Sequence, residues 1–95
     1  MARRDGNRLL LDGAVTVETV PALLEEGAAH LRDGVDVFDF GAVTQADSAA
    51  VALVLAWVRE AHAAGRTIRF ANLPPAMVNL ARLYAVDAFL PMSGT

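Results

Sequence analysis

A run of ten apolar residues, Ala49 to Val58, constrains the fold of this 95-residue chain more than any other feature. Its length and its alanine and leucine content favour a helix over a strand. A surface helix of a small domain needs only one apolar stripe, whereas this run is apolar around its whole circumference. We therefore expect one face of the helix in a core, and the other face, with Ala49, Ala52 and Ala56, at an interface.

Strand and helix patterns alternate along the chain. The predicted strands are Arg8–Asp12, Val35–Phe40 and Thr67–Leu73, with a second short strand or a bulge at Ala14–Val15. Strands that alternate with helices at this spacing predict a single α/β domain over residues 1–95, in which a mixed β-sheet packs against α-helices. We expect a short flexible N-terminus at about residues 1–7 and a tail at about residues 92–95.

Capping residues mark the ends of the first two predicted helices. Thr16 or Thr19 can cap the first helix, and Pro21 suits its first turn because a proline there loses no helical hydrogen bond. Gly34 ends this helix as a C′ glycine would, and Gly65 ends the apolar one.

The third predicted helix begins at the prolines of "NLPPAM". Its apolar stripe is Met77, Leu80, Ala81 and Tyr84, so Tyr84 is expected in the core with its hydroxyl at the rim. Trp57, in the apolar run, is also expected in the core. Residues 86–90 are predicted to form a last short helix or turn.

The composition excludes several classes of function. A net charge of −3 without a basic stripe argues against nucleic-acid binding. The absence of cysteine excludes disulfides, thiol catalysis and thiolate metal sites. The charged N-terminus does not fit a signal peptide, and an apolar run of ten residues is half of what a membrane span needs, so we expect a cytoplasmic protein with no direct membrane insertion.

Asp47 and Ser48 stand directly before the apolar run and allow two interpretations. Both residue types are preferred helix N-caps, because a side-chain oxygen accepts an unpaired N–H of the first turn. The pair also follows the strand Val35–Phe40, at the sheet edge where binding sites gather in open α/β folds. A hydroxyl there could be phosphorylated, since a helix N-terminus tolerates the added charge, or it could stay neutral and bind a partner.

An enzymatic role has little support in the sequence. Catalysis by Ser48 would need a nearby base, but His62 follows it by fourteen residues on the same predicted helix, about 21 Å away. His30 lies near the end of the first helix. No metal-ligand spacing and no phosphate-binding glycine loop is present, so we expect neither a metal nor a cofactor.

The segment "FDFGAVTQADSAAVALVLAWV" resembles the central strand, loop and helix of STAS domains, in which a strand is followed by Asp-Ser/Thr-x-Gly at a helix start. The segments "LDGAVTVETVPALL" and "NLPPAMVNLARLYAVDAFLP" are most similar to the MlaB-type branch, the small cytoplasmic subunit of the Mla phospholipid-transport ABC system. One departure is Ala50, which stands where the family usually has glycine.

The resemblance implies a non-catalytic protein that binds the ATPase subunit of the transporter and supports its assembly and activity at the inner-membrane face. The key hydroxyl of the family corresponds to Ser48 and the preceding acid to Asp47. The contact surface implied is Thr44, Gln45, Asp47, Ser48, Ala49 and Ala52. Without the partner, an exposed apolar face would favour a homodimer.

A second function stays open at this point. Other STAS proteins are anti-sigma-factor antagonists, and in that case a partner kinase would phosphorylate Ser48. The added charge would then break a protein–protein contact. The pattern of the third helix and the tail favours the MlaB-type branch.

Overall fold

The structure, a computed structural model, describes residues 2–84. Within this range the chain forms four strands and three helices. The strands are β1 (Ala2–Asp5), β2 (Arg8–Val15), β3 (Val37–Ala46) and β4 (Arg69–Ala71), and the helices are α1 (Val20–Arg32), α2 (Ser48–Ala63) and α3 (Pro75–Leu83).

The strands form one mixed sheet in the order β1-β2-β3-β4. β1 pairs with β2 in an antiparallel hairpin, whereas β2–β3 and β3–β4 are parallel pairs. Each parallel pair is joined through a helix, which confirms the predicted α/β class with a mixed sheet. Because α1 follows β2 and α2 follows β3, both helices begin at the same end of the sheet. We call this end, formed by residues 15–20 and 44–48, the junction end.

The N-terminal segment, predicted to be flexible over residues 1–7, contains strand β1. Gly6 makes the hairpin turn with a positive φ of 63°. The guanidinium of Arg4 donates to the carbonyl of Gly6 at 2.8 Å and to a carboxylate oxygen of Asp33 at 2.7 Å. The charged composition of the segment concealed the strand, since only Ala2 packs against the core.

Strand β3 differs at both ends from the predicted strand Val35–Phe40. It begins at Val37 rather than Val35, and it continues to Ala46 rather than ending at Phe40. The second half of β2 provides a parallel partner for this extension. The second short strand or bulge predicted at Ala14–Val15 is part of β2, with a shift of register between Gly13 and Ala14. Gly41 lies within the strand, and a Cβ there would lie 3.1 Å from a carboxylate oxygen of Asp39.

The predicted helix ends agree closely with the structure. α1 has Thr19 at its N-cap position and Pro21 in its first turn, and Gly34 follows it with a φ of 106°. The side chain of Thr19 does not cap the helix, because it accepts a hydrogen bond from the backbone N–H of Thr16 at 2.9 Å. Gly65, with a φ of 67°, follows the end of α2.

Helix α3 begins at Pro75 as predicted and buries Met77 and Ala81. Tyr84 departs from the prediction, because it is 51% exposed rather than in the core. The predicted element at residues 86–90 and the tail at residues 92–95 lie outside the described residues.

The apolar run forms the middle of α2, which packs on the sheet and contacts both α1 and α3. Of the ten residues from Ala49 to Val58, only Ala52 is exposed. The apolar circumference of the run is thus mostly explained by burial against two neighbouring helices and the sheet, and an interface on the outer face stays a prediction. None of the helices in residues 2–84 has the length and apolar character needed to cross a membrane.

Trp57 is the largest side chain of the core and is fully buried, as predicted. Its ring lies 4.5 Å from that of Phe38, measured between centroids. Its indole N–H donates to the carbonyl of Leu24 at 3.2 Å. A Cβ on Gly27 would lie 2.3 Å from the indole ring, so α1 and α2 approach closely only because residue 27 is glycine.

Candidate partner-binding site

At the junction end, the side chain of Asp47 links the segment between β2 and α1 to the start of α2. One carboxylate oxygen accepts from the backbone N–H of Ala49 at 2.9 Å, which is the N-cap bond of α2. The other oxygen accepts from the backbone N–H of Val17 at 3.2 Å. The capping interpretation of Asp47 is therefore confirmed, and the same carboxylate also fastens the turn before α1.

The turn of residues 16–19 is held by hydrogen bonds of its own. The backbone N–H of Thr16 donates to the hydroxyl of Thr19 at 2.9 Å. The hydroxyl of Thr16 donates to the carboxylate of Glu18, also at 2.9 Å. The carbonyl of Thr16 accepts from the backbone N–H of Val20 at 2.9 Å. Thr16 is itself buried, so the turn is anchored in the fold.

Val17 lies at the tip of this turn and is 63% exposed. Sequence reasoning missed it as a site residue. The available signal was a valine between the polar residues Thr16 and Glu18, directly before a helix cap. An apolar side chain at such a position has no neighbour in the local sequence against which to pack.

Ser48 is the first residue of α2 and is exposed. Within residues 2–84 its hydroxyl makes no hydrogen bond, because Asp47 performs the capping. The hydroxyl is therefore available at a helix N-terminus, where the helix dipole favours negative charge. It can donate to or accept from a partner, and a modifying enzyme can reach it.

Thr44 and Gln45 are exposed on the last part of β3, in a strand rather than a loop. The register pairs Gly13 with Val43 and Ala14 with Gln45, so Thr44 is an extra residue on β3. Such a bulge twists the strand and changes the direction of its side chains. Its effect here is that two successive residues are both exposed beside Ser48.

The three alanines at the start of α2 differ in their surroundings. Ala52 is exposed and Ala49 is half-buried, so both contribute to the outer surface of the helix. Ala50 is fully buried in the core, and its backbone N–H donates to the carbonyl of Asp47 at 3.0 Å. The methyl group of Ala50 therefore fits without disturbing the first turn.

Neither histidine of the chain lies at the junction end. His62 lies near the opposite end of α2 from Ser48, and His30 lies in the last turn of α1. In the described part of the chain no group of three acidic or histidine side chains could hold a metal ion. The chemistry that this surface can offer is hydrogen bonding by Ser48 and apolar contact by Val17 and Ala52.

A second polar cluster lies on the face of the sheet away from the helices. The carboxylate of Asp39 accepts from the backbone N–H of Gly41 at 2.8 Å and from the side-chain amide of Asn72 at 3.0 Å, and it pairs with Arg8. Burial opposes ionisation of this group, but the hydrogen bonds from Asn72, Gly41 and Arg8 outweigh it and lower its pKa. The cluster ties β2, β3 and the end of β4 together.

The model of a known family, described as the MlaB-type STAS domain, matches residues 1–91 of this chain. The chain belongs to the STAS domain family. The match covers the junction end as well as all the strands and helices described above. No curated protein matches this STAS domain in sequence.

Solved structures of anti-sigma-factor antagonists share the fold of this STAS domain. The unphosphorylated form of SpoIIAA has a TM-score of 0.72 and 16% identity, over 98% of this chain and 86% of that one. A putative antagonist from Thermotoga maritima has a TM-score of 0.78 and 11% identity, over 100% of this chain and 86% of that one. An antagonist from Mycobacterium paratuberculosis has a TM-score of 0.72 and 21% identity, over 100% of this chain and 84% of that one.

Proposed function

We propose that this STAS domain is a non-catalytic subunit that binds the ATPase of an Mla-type phospholipid-transport ABC complex and supports its assembly and activity. The observation that carries the proposal is the exposed Ser48 hydroxyl, which has no hydrogen-bond partner in residues 2–84 and is held at a fixed helix N-terminus. The family match, to the MlaB-type branch of STAS domains, favours a transporter ATPase as the partner. The domain would then lie at the cytoplasmic face of the inner membrane through that complex.

The residues of the site have different roles in this proposal. Ser48, Thr44, Gln45 and Ala52 contact the partner, with Ala49 at the margin. Asp47 acts mainly as a support, because both of its carboxylate oxygens already accept hydrogen bonds within the domain. A partner bound at this surface would meet a rigid arrangement, which lowers the entropy that binding costs.

The proposed effect on the ATPase is thermodynamic. A subunit that binds one state of the ATPase more tightly than another shifts the equilibrium toward that state by the difference in affinity alone. The domain therefore needs no chemistry of its own in order to support assembly or activity.

A second candidate, an anti-sigma-factor antagonist, is favoured by one specific observation. Ser48 is accessible at the first position of α2, where a phosphate would be compatible with the helix dipole and would leave the fold intact. The phosphate would instead disturb the partner, by charge and by the cost of desolvation. The three solved structures named above, which are of anti-sigma-factor antagonists or a putative one, share this fold and support the alternative.

The test is a binding measurement between the purified domain and the purified ATPase, by isothermal titration calorimetry, with Ser48→Asp and Ser48→Ala variants. Thr67→Asp is the matched control, because Thr67 is exposed beyond the far end of α2. We expect the wild type and Thr67→Asp to bind equally, and Ser48→Asp to bind at least about ten-fold more weakly. Ser48→Ala measures the contribution of the hydroxyl.

Two outcomes would count against the transporter function. If the wild type does not bind the ATPase, the partner is wrong. If a purified kinase of the anti-sigma-factor type phosphorylates Ser48 and loses affinity for the product, the second candidate takes its place. Equal binding by wild type and both Ser48 variants would show that the site is elsewhere.

A further inference from the structure

We infer that Val17 is the apolar anchor of the partner-binding surface and that the partner surface receiving it is basic. This inference rests on the proposed function, and it adds an anchor residue and a chemical character for the partner. It comes from the conformation of the turn of residues 16–19 and from the distribution of charge along the chain.

The turn presents Val17 in a fixed position. Its backbone N–H is bound to the carboxylate of Asp47 at 3.2 Å, and the residues on either side, Thr16 and Glu18, are bound to each other at 2.9 Å. Valine is β-branched and has few side-chain rotamers. A side chain that is already ordered loses little entropy on binding, so burial of its apolar surface would contribute almost fully to affinity.

The position of Val17 also fits an anchor. Asp47 joins it directly to the helix start that carries Ser48, so the two residues belong to one continuous surface. The other large apolar side chains that are strongly exposed in residues 2–84, Leu83 and Tyr84, lie at the end of α3. Val17 is thus the large apolar group offered by the junction end.

Charge is divided unequally along the fold. The stretches of residues 9–29 and 40–58, which contain the junction end, have no arginine, lysine or histidine. Their acidic residues are Asp12, Glu18, Glu25, Glu26 and Asp47. Apart from histidine, the chain has 8 basic residues. All of them are arginines, and all lie outside these two stretches. The junction end itself, residues 15–20 and 44–48, contains the acidic residues Glu18 and Asp47 and no basic residue, so a partner with arginine or lysine beside an apolar pocket complements it.

The same distribution argues against a second copy of this chain as the occupant. Two junction ends that face each other would bring Glu18 and its acidic neighbours close to an identical set. Like charges that face each other across an interface weaken association. A basic partner protein has no such penalty and would associate faster at low ionic strength.

The experiment measures association of the domain with the purified ATPase by surface plasmon resonance at several salt concentrations. The variants are Val17→Asn, Val17→Thr and Glu18→Gln, with Leu83→Asn as the matched control at another exposed apolar residue, 76% exposed. Val17→Thr keeps the β-branched shape and replaces one methyl group by a hydroxyl. Each variant is first shown to unfold at the same denaturant concentration as the wild type.

We expect Val17→Asn, which adds no charge, to weaken binding at least about ten-fold, Val17→Thr to weaken it less, and Leu83→Asn to bind as the wild type does. Wild-type association should slow as salt rises, and Glu18→Gln should slow association at low salt and reduce that dependence. If Val17→Asn binds normally, or if association is independent of salt, the inference is wrong even where Ser48→Asp still fails to bind. If the wild type does not bind the ATPase, the proposed function fails and the inference fails with it.

Discussion

The carboxylate of Asp47 accepts a hydrogen bond from the backbone N–H of Val17 at 3.2 Å, across 30 residues of chain. The contact joins the turn before α1 to the start of α2, and both are parts of the candidate site. This side chain thus adds a direct link between the two segments that a partner would touch, beside the pairing of Val15 with Ala46 in the sheet.

Replacement of Asp47 should separate its two roles. Asp47→Ala removes the helix cap and should lower the free energy of unfolding by about 1 kcal/mol. Asp47→Ser keeps a capping oxygen but is too short to reach Val17 as well, so it should cost less. Hydrogen exchange of the Val17 amide should accelerate in both variants. Unchanged exchange in Asp47→Ser would show that the bond does not hold the turn.

Ser48→Asp should leave the fold intact or make it slightly more stable. A carboxylate in the first turn of a helix interacts favourably with the dipole, by about 0.3–1 kcal/mol. Chemical denaturation measures this effect. The matched control is Ala63→Asp at the last residue of α2, where the same charge meets the negative end of the dipole and should be destabilising. Loss of stability in Ser48→Asp would contradict the exposed position described for Ser48.

Gly27→Ala should destabilise the domain although alanine is the better helix former. The added Cβ would lie 2.3 Å from the Trp57 ring, and relieving that overlap should cost about 1–3 kcal/mol. Trp57→Phe removes part of the ring and opens space. In a double-mutant cycle, Gly27→Ala should therefore cost less in the Trp57→Phe background. Additive changes in the free energy of unfolding would show that the two residues are not energetically coupled.

Asp39 should make the stability of the domain depend on acid pH. The pKa of this carboxyl group is lower in the folded protein than its ordinary value of 3.8. Ionised Asp39 therefore stabilises the fold at pH values above 3.8, and this contribution is lost as the pH falls through the lower, folded-state pKa.

The matched comparison is Asp39→Asn, which keeps the shape of the side chain and cannot ionise. At neutral pH it should be less stable than the wild type by about 1–3 kcal/mol, because charged hydrogen bonds are lost. Below pH 4 or so its stability should fall less steeply. Denaturant unfolding at a series of pH values measures both. Parallel curves for the two proteins would mean that Asp39 does not contribute to the acid dependence.

The sequence was sufficient for the order and type of most elements. Periodicity and capping residues located all three helices, with Gly34 and Gly65 marking two of their ends, because a left-handed backbone strongly favours glycine. The predictions failed where pairing with a distant segment decided the structure. The extension of β3 beyond Gly41 depends on the second half of β2, and strand β1 depends on a partner strand and on Asp33.

The candidate site was predicted only in part, for a similar reason. The capping role of Asp47 follows from local sequence preference, and the exposure of Ser48 follows from that role. The contribution of Val17 could not be predicted, because its position depends on a hydrogen bond to a residue 30 positions away. The extent to which α2 is buried within the domain was not predicted either, since the sequence does not show that α2 lies between two other helices.

The burial of Trp57 has a practical consequence for measurement. It is the only tryptophan of the chain, and its indole touches the sheet through Phe38 and α1 through Leu24 and Gly27. Its fluorescence should therefore report loss of packing between the sheet, α1 and α2 in a single signal, with emission shifting to longer wavelength as water reaches the ring. The junction end lies outside this environment. A partner that has no tryptophan could then dock there with little change in emission, so that folding and binding could be followed independently in the unlabelled protein.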